Sequence, residues 1–284
     1  LFSAVILVLM AVWSVLLVDD QVTRPLRAMH AAMRDARKSG RQEAMNVPAL
    51  GVLATFQEEY NRLVEQLDRD ELELTNAKRL TISSLTTLSR IRDNESGLHL
   101  TRTSKFVEML ANAYNEANGE EVIPPHKIDL MAQCAPLHDI GKVAIPDEIL
   151  LKPGPLTPEE YEVMKKHPAY GRETLISEDA GLGDREFMDT AVNVVYRHHE
   201  KWDGSGYPEG LAGNDIPIEA RIMAIADAYD AITSKRVYKD AHPHEKALKI
   251  LQQDAGTHFD PDLVHAFLRV EQDIHAVAEL YRDP

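Results

Sequence analysis

One cysteine, Cys134, occurs in 284 residues. No intrachain disulfide can form, so a packed core must hold the fold, as suits a reducing compartment. Cationic side chains are in deficit. Asp and Glu number 46 against 31 Lys and Arg, a formal charge of −15, which repels a polyanion unless cations are concentrated locally or supplied as bound metal. Duplex nucleic acid is therefore not an expected partner. Internal repeats and low-complexity tracts are missing, and 44% hydrophobic with 27% charged residues is globular composition that excludes wholesale disorder. Downstream of Asp93 no run alternates as a strand does, and the fold expected is all-α. The length suits two domains of roughly 100–200 residues each.

Charge is absent altogether from Leu1 to Val18, where Ser3 and Ser14 are the only polar side chains. This is close to the length that spans a bilayer, although a buried core helix or the apolar part of a signal peptide has similar composition. The chain does not start with Met and has no basic residue before the apolar run, so a longer protein with this segment clipped is expected. No small-residue cleavage site follows. Instead Arg24, Arg27, Arg34, Arg37, Lys38 and Arg41 face only Asp35 between Gln21 and Arg41. By the positive-inside bias this side, and the rest of the chain, is cytoplasmic, with the segment in the inner membrane.

Pro25 marks a helix start, followed by Leu26, Met29 and Met33 at helical spacing. After the break at Ser39–Gly40 and Pro48, a second amphipathic helix carries Phe56, Tyr60, Leu63 and Leu67 on one stripe. Helix, connector and helix beside a span resemble a HAMP signal-relay module, without the acidic residues often found where its second helix begins. The resemblance implies a homodimer paired through these helices. Gly and Pro are absent from Glu59 to Ile91, which predicts a continuous helical linker. Leu67, Leu74, Thr81 and Leu88 recur every seven residues, but Asp70, Ala77 and Ser84 between them are poor core residues. The organisation expected is a membrane helix over 1–18, a relay over 19–71, a linker over 72–92 and a further domain over 93–284.

In that last part, metal-ligating residue types come in order: Glu95 and His99, the pair His138–Asp139, His167, the pair His198–His199, and Asp227. Glu95 and His99 are four apart, so on a helix both project from one face. Adjacent helix residues point about 100° apart, so His198 and His199 are expected to serve two neighbouring ions, as are His138 and Asp139. Imidazole with carboxylate suits Fe, Mn, Co or Zn, and no thiolate is on offer. Thr157-Pro158-Glu159-Glu160 reads as a capping box, and Pro168 as the stop of that helix, which puts His167 at its end. Any one of these residues alone would be an ordinary solvated or hydrogen-bonded side chain; His30, His126, His242 and His244 are read that way.

The motifs HDIGKVAIPDEILLKPG from His138, KKHPAYG from Lys165, YRHHEKWDGSGYPEGL from Tyr196, IMAIADAYDAITSKRVYK from Ile222 and GTHFDP from Gly256 together resemble an HD-GYP domain. This is the branch of the HD phosphohydrolase superfamily associated with hydrolysis of cyclic di-GMP. The resemblance runs over roughly Asp93 to Arg269 and implies an all-α helical bundle around a metal centre. It makes His138, Asp139, His167, His198, His199 and Asp227 ligands of two divalent ions, iron or manganese, with Glu95 and His99 adding a third. Lys142 matches a lysine near the substrate phosphate, Arg236 and Lys239 match phosphate-contacting cations, and Asp93 and Asp230 match residues that approach the nucleotide. The family's arginine–proline–tyrosine reads Arg236-Val237-Tyr238 here. Gly204, Gly206, Tyr207 and Pro208 form the signature loop, in which glycines permit a sharp turn and Tyr207 can line the site.

What the resemblance implies is hydrolysis of cyclic di-GMP to pGpG and onward to GMP, with Asp139 and Lys142 at the reacting phosphodiester. Two adjacent cations can activate a water and clamp the phosphate oxygens. They would also reconcile an acidic chain with an anionic substrate. A diguanylate cyclase or another signalling protein would dock on the signature loop. Two other readings stay open: a receptor or interaction module with little turnover, and a hydrolase of a different cyclic dinucleotide.

Overall fold

The computed structural model describes residues 2–39, 43–93, 97–176, 185–234 and 241–282, and the described residues carry no β-strand, only the isolated bridges Asp203–Ala212 and Ala255–Phe259. Two compact units, residues 1–78 and 79–284, divide the chain.

In the first unit α1 (Phe2–Val18) is apolar throughout, and its spanning window buries nothing within the protein. It is long and apolar enough to cross a membrane. It does not end before Pro25. A π-helical stretch, Asp19–Thr23, carries it directly into α2 (Arg24–Ser39). Pro25 thus sits inside a continuous helix rather than opening a separate one. Proline has no N–H to give the carbonyl four residues back, and the wider π turn just before it takes up that mismatch. The connector after residue 42 is fastened by side-chain amides: Asn61 accepts from Met45 N and donates to Met45 O at 2.6 and 2.9 Å, and Gln57 accepts from Val47 N at 3.1 Å. Both amides belong to α3 (Val52–Asp93), 42 unbroken residues, as the missing Gly and Pro foretold.

The second unit is built on α4 (Gly97–Asn118), against which α5 (Pro125–Cys134), α10 (Ile218–Thr233), α12 (Pro261–Arg269) and α13 (Glu271–Leu280) pack. The IMAIADAY run makes α10 apolar almost all round, and Ile222, Met223, Ile225 and Tyr229 are fully buried, as befits a central helix. Phe106, Leu110, Met131, Val194, Leu251 and Phe267 complete the core, each burial being worth about 1.5–3 kcal/mol. Cys134 lies within it, fully buried.

Between these helices run short elements that carry the polar residues: α6 (Asp147–Leu150), α7 (Pro158–Met164), α8 (His167–Leu175), α9 (Arg185–Arg197) and α11 (His244–Gln253). The capping box at the start of α7 is present, with Thr157 Oγ1 accepting from Glu160 N at 3.3 Å and Glu160 Oε2 from Thr157 N at 2.7 Å. The end of that helix differs from the sequence expectation. It stops at Met164, and His167 and Pro168 open α8. Proline needs no donor in a first turn, so Pro168 starts a helix here instead of stopping one.

Candidate metal centre

His138 and Asp139 lie between two 3-10 turns, Ala135–Leu137 and Ile140–Ala144, at the centre of the second unit. This break in helical geometry sends the two adjacent side chains to different neighbours. Asp139 joins His167, His198 and His199; His138 joins His99 and Asp227. Within each group the potential ligand atoms lie no more than 4.8 Å from one another. His138 and Asp139 thus fall in different groups, with His138 Nε2 still 3.1 Å from Asp139 Oδ2, whereas His198 and His199 fall in the same one. Helix α9 ends at Arg197, so the pair occupies a turn, where the 100° rotation per residue no longer holds, and their ring centroids are 4.0 Å apart.

The tautomers are fixed by backbone carbonyls. A carbonyl only accepts, so each ring nitrogen bonded to one must carry the proton. His138 Nδ1 donates to Ala135 O at 2.8 Å, His167 Nδ1 to Met164 O at 2.9 Å, and His198 Nδ1 to Val194 O and Val195 O at 3.0 and 3.1 Å. Each Nε2 then turns its lone pair to the interior. His167 Nε2 is 3.1 Å and His198 Nε2 3.7 Å from Asp139 Oδ1, yet none of these three buried atoms makes a hydrogen bond. Acceptors crowded around one point without donors are what a cation satisfies. The residues present fit divalent metal.

Electrostatics agree. Burial would raise the Asp139 carboxyl, but Lys142, His138 and His167 outweigh it and hold the acid well below the usual carboxylate range. Burial, then the neighbouring imidazoles, lowers His198 and, more strongly, His199. His198 and His199 are therefore neutral near pH 7, the state that ligates metal.

His99, near the N-terminus of α4, is held from behind. Its Nδ1 lies 2.7 Å from Asp230 Oδ2, and Arg102 clamps the same carboxylate through Nε at 2.5 Å and a terminal nitrogen at 3.0 Å. Asp230 is 1% exposed. Burial would raise its pKa, but hydrogen bonds from His99 and Arg102 bring it down to about 2. The structure thus puts Asp230 behind His99 rather than in the opening where a nucleotide was expected to meet it. Asp227, one turn earlier on α10, points into the ligand group while Asp230 supports it. Arg102, which sequence reading passed over, had one signal: it stands three residues after His99, hence on the same helix face. Asp230→Asn should weaken metal affinity by about 10–100-fold, as loss of a carboxylate behind a ligating imidazole does, and metal titration of the purified protein measures it.

Lys142 Nζ lies 2.8 Å from both Asp139 Oδ2 and Asp93 Oδ2, so Lys142 and Asp93 stand together at the accessible side of the centre. Tyr207 stacks on His199, centroids 4.8 Å apart and rings 27° from parallel, and burial pushes its hydroxyl above the ordinary tyrosine value. Gly206 serves the backbone, as a Cβ there would stand 2.3 Å from Lys201 N and 2.5 Å from Glu200 Cα. Glu95, Arg236 and Lys239 lie outside the described residues.

Comparison with known proteins places this arrangement. An HD domain profile matches residues 87–263. The chain belongs to the HD domain family. Among relatives of this HD domain protein, a cyclic di-GMP phosphodiesterase of Vibrio cholerae is 44% identical over 226 residues, 78% of this chain and 46% of that one. The cyclic di-GMP phosphodiesterase response regulator RpfG of Xanthomonas campestris is 42% identical, over 69% of this chain and 49% of its own. A 3'3'-cGAMP-specific phosphodiesterase 2 of Vibrio cholerae is 41% identical, over 69% of this chain and 35% of its own. The chain spans about half or less of the length of these relatives.

Proposed function

We propose that this HD domain hydrolyses cyclic di-GMP to pGpG, and pGpG onward to GMP, as the output of a membrane-tethered signalling protein. The observation that carries the reading is the pair of ligand groups that meet at His138 and Asp139 with Lys142 alongside. Bound divalent ions, iron or manganese, would supply an activated water and offset charge on the phosphodiester. Asp139, His167, His198 and His199 would hold one, and His138 and Asp227 another, with Glu95 and His99 holding a third.

The chain's own residues do the rest. Asp139, kept ionised in a buried position, would accept from and orient the attacking water, and Lys142 would donate to a nonbridging oxygen. Asp93 keeps the ammonium of Lys142 in place when substrate is absent. Arg236 and Lys239 bind the second phosphate, and Gly206 and Tyr207 shape the wall against which a guanine lies. Asp230 takes the supporting role behind His99.

Regulation enters through α3. Arg92, in its last turn, donates to the carbonyls of Val143 and Ile145 and to the Asp147 carboxylate, and Ser89 lies 3.5 Å from the Asp139 carbonyl. A shift of this helix is thereby felt by the segment that carries Asp139 and Lys142. Exposed Leu63, Leu67, Leu74 and Leu80 on α3 suit pairing with a second copy. The apolar α1 and the basic residues after it suit an inner-membrane anchor, a HAMP-like relay over 19–71 and a cytoplasmic catalytic part. A diguanylate cyclase or similar partner would meet the exposed edge of the signature loop.

Incubation of the protein with cyclic di-GMP and with 3'3'-cGAMP, under anaerobic Fe(II) and under Mn(II), tests the reading by product chromatography. Faster opening of cyclic di-GMP to pGpG is expected. Preference for the mixed dinucleotide would reassign the substrate, and metal-loaded protein that binds without turnover would make it a receptor.

A further inference from the structure

The HHE motif supplies two ligands and then Glu200, which belongs to neither ligand group. Its side chain is 2% exposed and turns away from the histidines. Oε1 accepts from the backbone N–H of Glu209 at 2.7 Å and of Gly210 at 3.2 Å, and Oε2 accepts from Leu211 N–H at 3.0 Å. Three convergent backbone donors on one buried carboxylate form a charge-assisted anchor.

The anchored segment closes the signature loop. At the loop's base, Trp202 N and Asp203 N donate to the carbonyls of His258 and Thr257, at 3.0 and 2.9 Å, so the GTHFDP turn forms its back wall. Between base and anchor, Tyr207 N donates to His199 O at 3.2 Å, and the tyrosine ring covers the His199 imidazole. We propose that Glu200 is a positioning residue for substrate selection: it fixes the 209–211 turn so that Tyr207 is held against His199 as a wall for the cyclic dinucleotide. The selection half rests on the hydrolase reading above; the anchoring half does not.

Glu200→Gln keeps the shape but cannot serve all three donors. With its oxygen on Glu209 and Gly210, its NH2 group faces the Leu211 N–H, donor against donor. Hydrogen exchange of metal-loaded protein should show the 209–211 amides exchanging at least about tenfold faster in the variant, with full metal content. On the cyclic dinucleotide KM should rise, and the loss in kcat/KM should exceed that on bis(4-nitrophenyl) phosphate by at least about tenfold. Adding Tyr207→Ala should cost little more, since both changes remove one wall. Gly206→Ala, which forces the loop off the Glu200 backbone, should show the same pattern. Unchanged exchange would overturn the anchor. Equal losses on both substrates, or additive effects of Glu200→Gln and Tyr207→Ala, would overturn the selection role. Parent protein inert towards both esters would count against the hydrolase reading and remove selection with it, leaving exchange to decide the anchor.

Discussion

Asp139→Asn is expected to lower turnover by about 10³-fold or more and to strip the Asp139 group of its metal. The two side chains are nearly isosteric, so the cause is charge and donor pattern. In the parent, Oδ1 sits beside the Nε2 lone pairs of His167 and His198, an acceptor-only cluster that needs a cation. An amide nitrogen in that place offers hydrogens to the imidazoles and satisfies them without metal, while an amide oxygen there brings no charge. Loss of one well-placed electrostatic element costs about 10²–10³ in rate, and loss of an ion as well adds to this. Lys142 keeps its contact with Asp93, so the fold should survive, and the metal-free variant should melt within a few degrees of the metal-free parent. Elemental analysis beside a turnover assay makes the check. An Asp139→Asn protein with full metal and parental turnover would exclude the carboxylate from ligation.

The residue types that carry this chemistry could be read in sequence because ligands and their order are a matter of composition and spacing. What could not be read was where helices stop. On the premise of a helix His198 and His199 point to two ions, but α9 ends at Arg197 and the turn that follows brings both to one group. In sequence Pro168 puts His167 at a helix end, yet proline opens a helix as readily as it follows one, and the break at Lys165–Lys166 decides between them. Asp230 illustrates a different limit. It lies one turn from Asp227 on the same helix, and only the packing of α4 against α10 reveals that one carboxylate meets the ligand group and the other supports His99 through a network with Arg102. The long uninterrupted α3 and the capping box were legible because each rests on local chemistry alone.

Close backbone approach was the least visible feature, and it sets the second large effect. Gly141, within HDIGK, lies so near α8 that an added Cβ would stand 1.9 Å from His167 O and 2.4 Å from Gly171 N. Both are backbone atoms, so no rotamer change relieves the overlap. On its other side α8 is blocked too, since a Cβ on Gly171 would meet Val195 Cγ1 at 2.4 Å. Gly141→Ala must therefore push α8 off the Asp139 turn, at a cost of about 3 kcal/mol, which for a unit of this size is a fall in Tm of roughly 6–12 °C. His167 opens α8, so the displacement carries a ligand away from Asp139, and metal affinity should fall with stability. Gly171→Ala should be milder, because the end of a valine side chain can turn aside where a carbonyl cannot. Calorimetry and metal titration on both variants should rank Gly141→Ala as the worse by each measure. If it melts with the parent, the HDIGK turn does not rest on the α8 backbone, and the grouping of His167 with Asp139 loses its support.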